Sequence, residues 1–191
     1  MIEFLEAALK AEYEREKLDG SAFFASDDWT EMKSLVGDVF SMAERHITSC
    51  AEGEPILPTF MGRDNDGMIC IAAIPELSNP DVRVRRAVAA MVPDFMKTMG
   101  SKSGIMIREA WTVSVTATDP AVVNNILPSE DDRRISVVMM DLIAPRYQFL
   151  VNFKINEKAE RSVNPNPVAA LIAKHDGKML QAEMVNFGDP E

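Results

Sequence analysis

The chain has 191 residues, with a hydrophobic fraction of 47% and a charged fraction of 26%, a globular balance that excludes wholesale disorder. A domain of this length buries roughly 70% of the surface its unfolded form exposes, so it requires neither a metal nor a disulfide staple. The net charge of −10 excludes a strong non-specific grip on nucleic acid or anionic membrane, which needs Lys and Arg to neutralise phosphate.

From Ile2 to Lys17, apolar residues recur at Ile2, Leu5, Ala8, Leu9 and Tyr13 with acids between them, predicting an amphipathic helix. Asp19-Gly20 is expected to end it, with glycine in the left-handed conformation. Glu3 and Glu6 interrupt this start, which therefore does not read as a secretory signal. No run of about 18 apolar residues occurs, so nothing is expected to span a bilayer. With two cysteines, Cys50 and Cys70, that fit a reducing compartment, a cytoplasmic protein is expected.

A second helix should be capped near Ser26-Asp27-Asp28 and carry Trp29, Met32, Leu35, Val36, Val39, Phe40, Ala43 and Ile47 on one stripe. Gly53, Pro55 and Pro58 end it. Thr59–Ile74 reads as a β-hairpin turning at Arg63-Asp64-Asn65-Asp66-Gly67. Asn79-Pro80-Asp81 then opens a helix whose apolar face is read as Val84, Val88, Met91, Phe95 and Met99, with Gly100 as its stop and a kink or break at Pro93. Acids outnumber bases nine to three between Met1 and Glu31, whereas bases outnumber acids six to three between Asp81 and Glu109. Arg83, Arg85 and Arg86 could therefore form a basic patch, against the plainer reading of a solvated helix face.

Three strands follow. Ile105, Ile107, Trp111, Val113 and Val115 alternate along the first, and Ile135–Ile143 is apolar enough to be covered on both faces. Tyr147, Phe149, Val151, Phe153 and Ile155 alternate with Gln148, Asn152, Lys154 and Asn156, predicting one buried and one wet face. Ala144-Pro145-Arg146 makes the last two strands hairpin neighbours. After Asn164-Pro165-Asn166-Pro167, a further hairpin should turn at His175–Lys178 and return along Met179–Phe187. Its first arm, Val168–Lys174, suits strand or short helix equally. These elements define an α+β fold: an antiparallel sheet of about five to seven strands, with helices packed mainly on one face. A single domain over residues 1–191 is expected, helical over 1–50 and a helix-plus-sheet core over 58–187.

The catalytic inventory is thin. His46 falls in the last turn of the second helix and His175 beside a turn, neither in a zinc-like spacing. There is no phosphate-gripping glycine loop, dinucleotide fingerprint or nucleophile elbow. Asp64-Asn65-Asp66-Gly67 has too few ligands for a calcium loop and reads as a turn. Two carboxylates stand out. By alternation, Glu109 shares a face with Ile107 and Trp111, and Asp141 shares one with Val137, Met139 and Ile143. A carboxylate on an apolar face is paired or functional, and Arg63, Arg108 and Arg134 are the partners considered for them. A β-bulge turning Glu109 outward is the alternative.

Arg108-Glu109-Ala110-Trp111, then Pro128-Ser129-Glu130-Asp131-Asp132-Arg133, then Ile135–Met140, resembles small phage and bacterial proteins built as strand-(Glu-Ala-Trp)-loop-(acidic-Asp-Arg)-strand units. The resemblance covers Pro58 to Phe153, and Glu109, Ala110, Trp111, Asp132 and Arg133 follow the pattern. It implies a phage or prophage product and carries no activity over.

The leading expectation is a non-enzymatic interaction protein, acting on a protein partner or by self-association, with no cofactor and no catalytic or metal residue assigned. The acidic balance and 13 methionines, which adapt to irregular contact surfaces, favour it. One rival is a metal-dependent hydrolase or nuclease using Glu109, Asp141 and a loop acid. Another is a small-ligand-binding module using Arg83, Arg85, Arg86 and Trp111.

Overall fold

The computed structural model describes residues 1–49, 55–79, 81–113, 131–157 and 160–180. Three helices come first: α1 (Ile2–Arg15), α2 (Ser21–Phe24) and α3 (Asp27–Ser49). The hairpin β1 (Thr59–Arg63) and β2 (Ile69–Ala73) follows, then a 3-10 turn (Pro75–Ser78) and α4 (Val82–Thr98). The chain continues through β3 (Gly104–Thr112), β4 (Ile135–Ile143), β5 (Gln148–Asn156), β6 (Ser162–His175) and β7 (Lys178–Met179). The seven strands form one antiparallel sheet in the order β2-β1-β3-β4-β5-β6-β7.

α3 buries the full stripe its spacing predicts, from Trp29 to Ile47. Ser26 Oγ accepts from Trp29 N at 3.2 Å, which caps the helix start. With α1 and α2, this helix covers the sheet face that carries Met61, Ile105, Ile107, Met140 and Phe149. Tyr147, Phe149, Val151, Phe153 and Ile155 are all buried there, so the alternation fixed their register correctly. α1 is closed by Lys17 at φ 55°, not by Gly20, which sits at φ −88°. Gly20 is required for space, because a Cβ there would lie 2.9 Å from the rings of Tyr13 and Phe24.

α4 lies on the opposite face, over Phe60, Met106 and Ile143. Its cap is Asp81, whose side chain accepts from Arg83 N at 2.8 Å, rather than Asn79. The helix runs through Pro93 without a break, held on either side by buried Val92 and Met96. Met91, expected on the buried face, is 64% exposed. Val92 takes its place because it is the residue four beyond Val88 and four before Met96, on one line down the helix.

Both faces of β4 are covered, since the adjacent Val137 and Val138 are each fully buried. Asn152, expected wet, is buried because it lies mid-sheet between Met139 and Ala169. Trp111, expected on the apolar face, is 52% exposed near the end of β3, with the Arg134 guanidinium 5.3 Å from its ring centroid. Val168–Lys174 is strand, part of β6. Asp176 (φ 49°) and Gly177 (φ 79°) make the tight turn to β7 that joins twisted antiparallel strands. Cys50, Pro80, Val115, Pro128–Glu130 and most of the returning arm Met179–Phe187 lie outside the described residues.

Candidate functional site: a polar-floored cavity beneath α4

The two carboxylates singled out in the sequence stand on opposite faces of the sheet. Glu109 pairs with Val138, in the layer under α3, while Asp141 pairs with Met106, in the layer under α4. With the sheet between them they cannot chelate one ion, so the shared metal site of the rival hydrolase or nuclease reading is not formed. No group of three or more His, Cys, Asp or Glu residues is arranged to hold a metal among the described residues.

Glu109 is half-buried and paired, and the β3–β4 ladder passes it without a register shift, so no bulge turns it outward. Its Oε1 accepts from Arg161 at 2.9 Å and its Oε2 accepts from Ile56 N at 3.3 Å. Glu109 N also donates to Ile56 O at 3.2 Å. One residue thus fastens the segment entering β1 to β3 through both main chain and side chain. The partner is Arg161, not one of the three arginines considered from sequence. Arg63 instead ties the hairpin to α3 through Asp38, Arg134 stands over Trp111, and Arg108 points to the other face.

Between α4 and that second face lies a cavity of about 340 Å³. Ala89 and Pro93, two short and exposed side chains of α4, line its open side. Leu77, Val92, Met106, Ile143 and Leu150 give it apolar walls. Its floor is polar. Asp141 sits in line with Met106 on β3 and Leu150 on β5, and Gln148 Nε2 donates to its two oxygens at 3.0 and 3.1 Å. Burial pushes the Asp141 carboxyl up from its ordinary range, against the opposing pull of Gln148, Arg108 and Lys174. Burial also pulls the Arg108 guanidinium down, the charge of Arg85 adds to that, and Asp141 opposes it. Arg108 donates to Met139 Sδ at 3.3 Å, a soft and weak acceptor. Lys174 lines the cavity and donates to Pro145 O at 3.0 Å.

Such a space can take an apolar body out of water while a few charged groups orient its polar end. No serine, cysteine or histidine lines it among the described residues. Gln148 and Lys174 were not read from the sequence as site residues, whereas Arg108, considered there as a partner for the two carboxylates, does lie beside Asp141. The available signal was Leu150, an apolar residue interrupting the face of β5 that otherwise looked wet.

The other sequence candidates do not converge. Arg83 pairs with Asp81 in solvent, Arg86 is exposed, and Arg85 donates to Asn79 O at 2.7 Å. Of the three, only Arg85 lies near enough to Arg108 to act on its charge. Asp131 is buried against Arg133, which it accepts at both backbone and guanidinium, while Asp132 is exposed. His46 is half-buried in the last turn of α3, and His175 packs edge-on to Tyr13 with Nδ1 3.3 Å from its hydroxyl. Asp64 Oδ1 accepts from Asp66 N and Met68 N, each at 2.9 Å, which makes the acidic stretch a turn. Cys70 is a half-buried free thiol. Among the described residues no helix is long and apolar enough to cross a membrane. Compared with protein-family models, with curated proteins and with solved structures, the chain has no match.

Proposed function

We propose that this chain is a non-enzymatic binding protein whose ligand is a small molecule held in the cavity beneath α4. One observation carries the reading: a desolvated Asp141 and a desolvated Arg108 line the same cavity, whose walls are otherwise mostly apolar. Burying charge is costly, and structural ion pairs that repay it are normally in direct contact. Here Asp141 accepts from the Gln148 amide and Arg108 donates to the Met139 thioether. The reading does not depend on the phage resemblance. It is tested by thermal shift against a panel of small metabolites, nucleotides and divalent ions, since whatever binds the native state raises its melting point. Ala89→Trp, which fills the cavity from the helix side, should abolish the shift of any hit. A panel with no hit, or hits indifferent to Ala89→Trp, refutes it.

Protein contact, the leading expectation from the sequence, draws support from a different place. β2 is an edge strand, Ile69-Cys70-Ile71-Ala72-Ala73, with no charge and no proline, and Ile69 and Ile71 are 42% and 58% exposed. Edge strands that stay solitary usually carry such protection. β6, by contrast, carries Pro165 and Pro167 and packs against α1. On this reading the uncharged apolar strand that β2 accepts is the β2 of a second copy. Sedimentation velocity at micromolar concentrations should show a dimer that Ile71→Lys dissolves; a monomer at all concentrations refutes the reading.

A further inference from the structure

The charges around the cavity narrow its ligand. The protein carries a net charge of −10, yet Arg108 and Lys174 line this space, Arg85 lies close behind Arg108, and Asp141 is the only acid among the lining residues described. Locally the sign is inverted. Asp141 is also the group already provided with donors, because Gln148 reaches both of its oxygens. Arg108 is the group left short. Its guanidinium has five N–H donors, and among the described residues the one hydrogen bond it makes is to Met139 Sδ. Its Nε and Nη1 are not sealed away from the cavity and solvent, since neither is among the fully buried atoms without a partner. A largely desolvated guanidinium without an oxygen acceptor, on the wall of an apolar cavity, is short of one thing: an anionic oxygen pair.

Resting on the small-ligand reading above, we propose that the ligand is a small amphipathic anion of the carboxylate class. Its head forms a two-point contact with the Arg108 guanidinium, and its apolar body lies among Leu77, Val92, Ile143 and Leu150. Lys174 neutralises what charge remains from the β6 side. Asp141 orders the floor through Gln148 and, bearing the same sign as the head, sets the far limit of where that head can sit. Cationic amphiphiles are refused because Arg85, Arg108 and Lys174 together outweigh Asp141.

The experiment is isothermal titration of the full chain with three probes of equal tail length: octanoate, octan-1-ol and octylammonium. The expected order is octanoate tighter than octan-1-ol by roughly ten- to a hundredfold, the scale of one charge-assisted bidentate contact, with octylammonium not binding. In Arg108→Met, checked for a native-like melt, octanoate should fall to the affinity of octan-1-ol, while the exposed control Arg83→Met changes neither. Should Arg108→Met not fold, Arg108→Gln serves, with the same expected loss of preference. Octan-1-ol binding as tightly as octanoate to the unmodified chain overturns the anion assignment and leaves the cavity reading standing. So does octanoate binding that ignores the loss of Arg108. If none of the three probes binds the unmodified chain, this assignment falls with the cavity reading itself.

Discussion

Removing the Glu109 carboxylate tests the most exposed structural reasoning, that this acid is a fastener. Glu109 and Arg161 are 16% and 14% exposed at the side chain, so solvent screens their contact only in part. In Glu109→Leu the Ile56 amide loses its acceptor, which costs about 1–3 kcal/mol for a buried donor. Arg161 loses one carboxylate but keeps Glu157 at 3.0 Å, so its share is smaller, and the total should come to about 2–4 kcal/mol. Glu109→Gln keeps the shape and one acceptor but turns its amide nitrogen, a donor, toward the other partner, so it should cost about 1–3 kcal/mol. Urea unfolding read by linear extrapolation gives both values, and the slope should stay constant because the fold is unchanged. In a double-mutant cycle with Arg161→Leu, the coupling should be about 0.5–3 kcal/mol, as for residues in direct contact. A Glu109→Leu protein within 0.5 kcal/mol of the parent, or a coupling of zero, would refute the fastener.

Gly104→Ala would put a methyl group 2.3 Å from the Phe60 ring, which is fully buried and held edge-on by Phe95. It should cost about 1–3 kcal/mol by calorimetry, with most recovered in Phe60→Leu/Gly104→Ala. Leu35→Ala empties a fully buried site on α3 and should cost about 2–5 kcal/mol in the same unfolding assay. Asp141 holds its proton to higher pH folded than unfolded. Its contribution is therefore fully present below the unfolded value and is lost as pH rises through the raised folded one. Asp141→Asn should accordingly raise the melting point relative to the parent at pH 7 and not at pH 3.5; an equal effect at both would refute burial as the cause.

The periodic parts of the chain were legible because burial repeats there with the period of the element. The α3 stripe and the inward face of β5 follow from spacing alone, and the burial of Glu109 follows from alternation along β3. What failed did so where several elements meet. Ala-Ala-Leu-Ile-Ala in β6 has neither period, so only pairing with β5 decides it. Arg161 lies 52 residues from Glu109, and no local pattern ties the two. The cavity draws on α4, four strands and the turn before α4. Asp141 could be flagged from its own strand, but its neighbours Arg108, Gln148 and Lys174 meet it only once the β3 to β6 registers are set.

Pro93 bears on how fast a ligand of the proposed kind would exchange. A proline has no amide hydrogen, so the Ala89 carbonyl one turn earlier lacks the helical donor it would otherwise have, and both residues line the cavity. The helical wall is missing a rung beside the cavity, while the floor from β3 to β5 is laddered in continuous register over Asp141. If a ligand enters past α4, flexing one helical turn would be far less demanding than parting strands. Pro93→Ala would restore the rung and stiffen the wall. Entry and escape should then slow by the same factor, lengthening residence time while leaving affinity where it was.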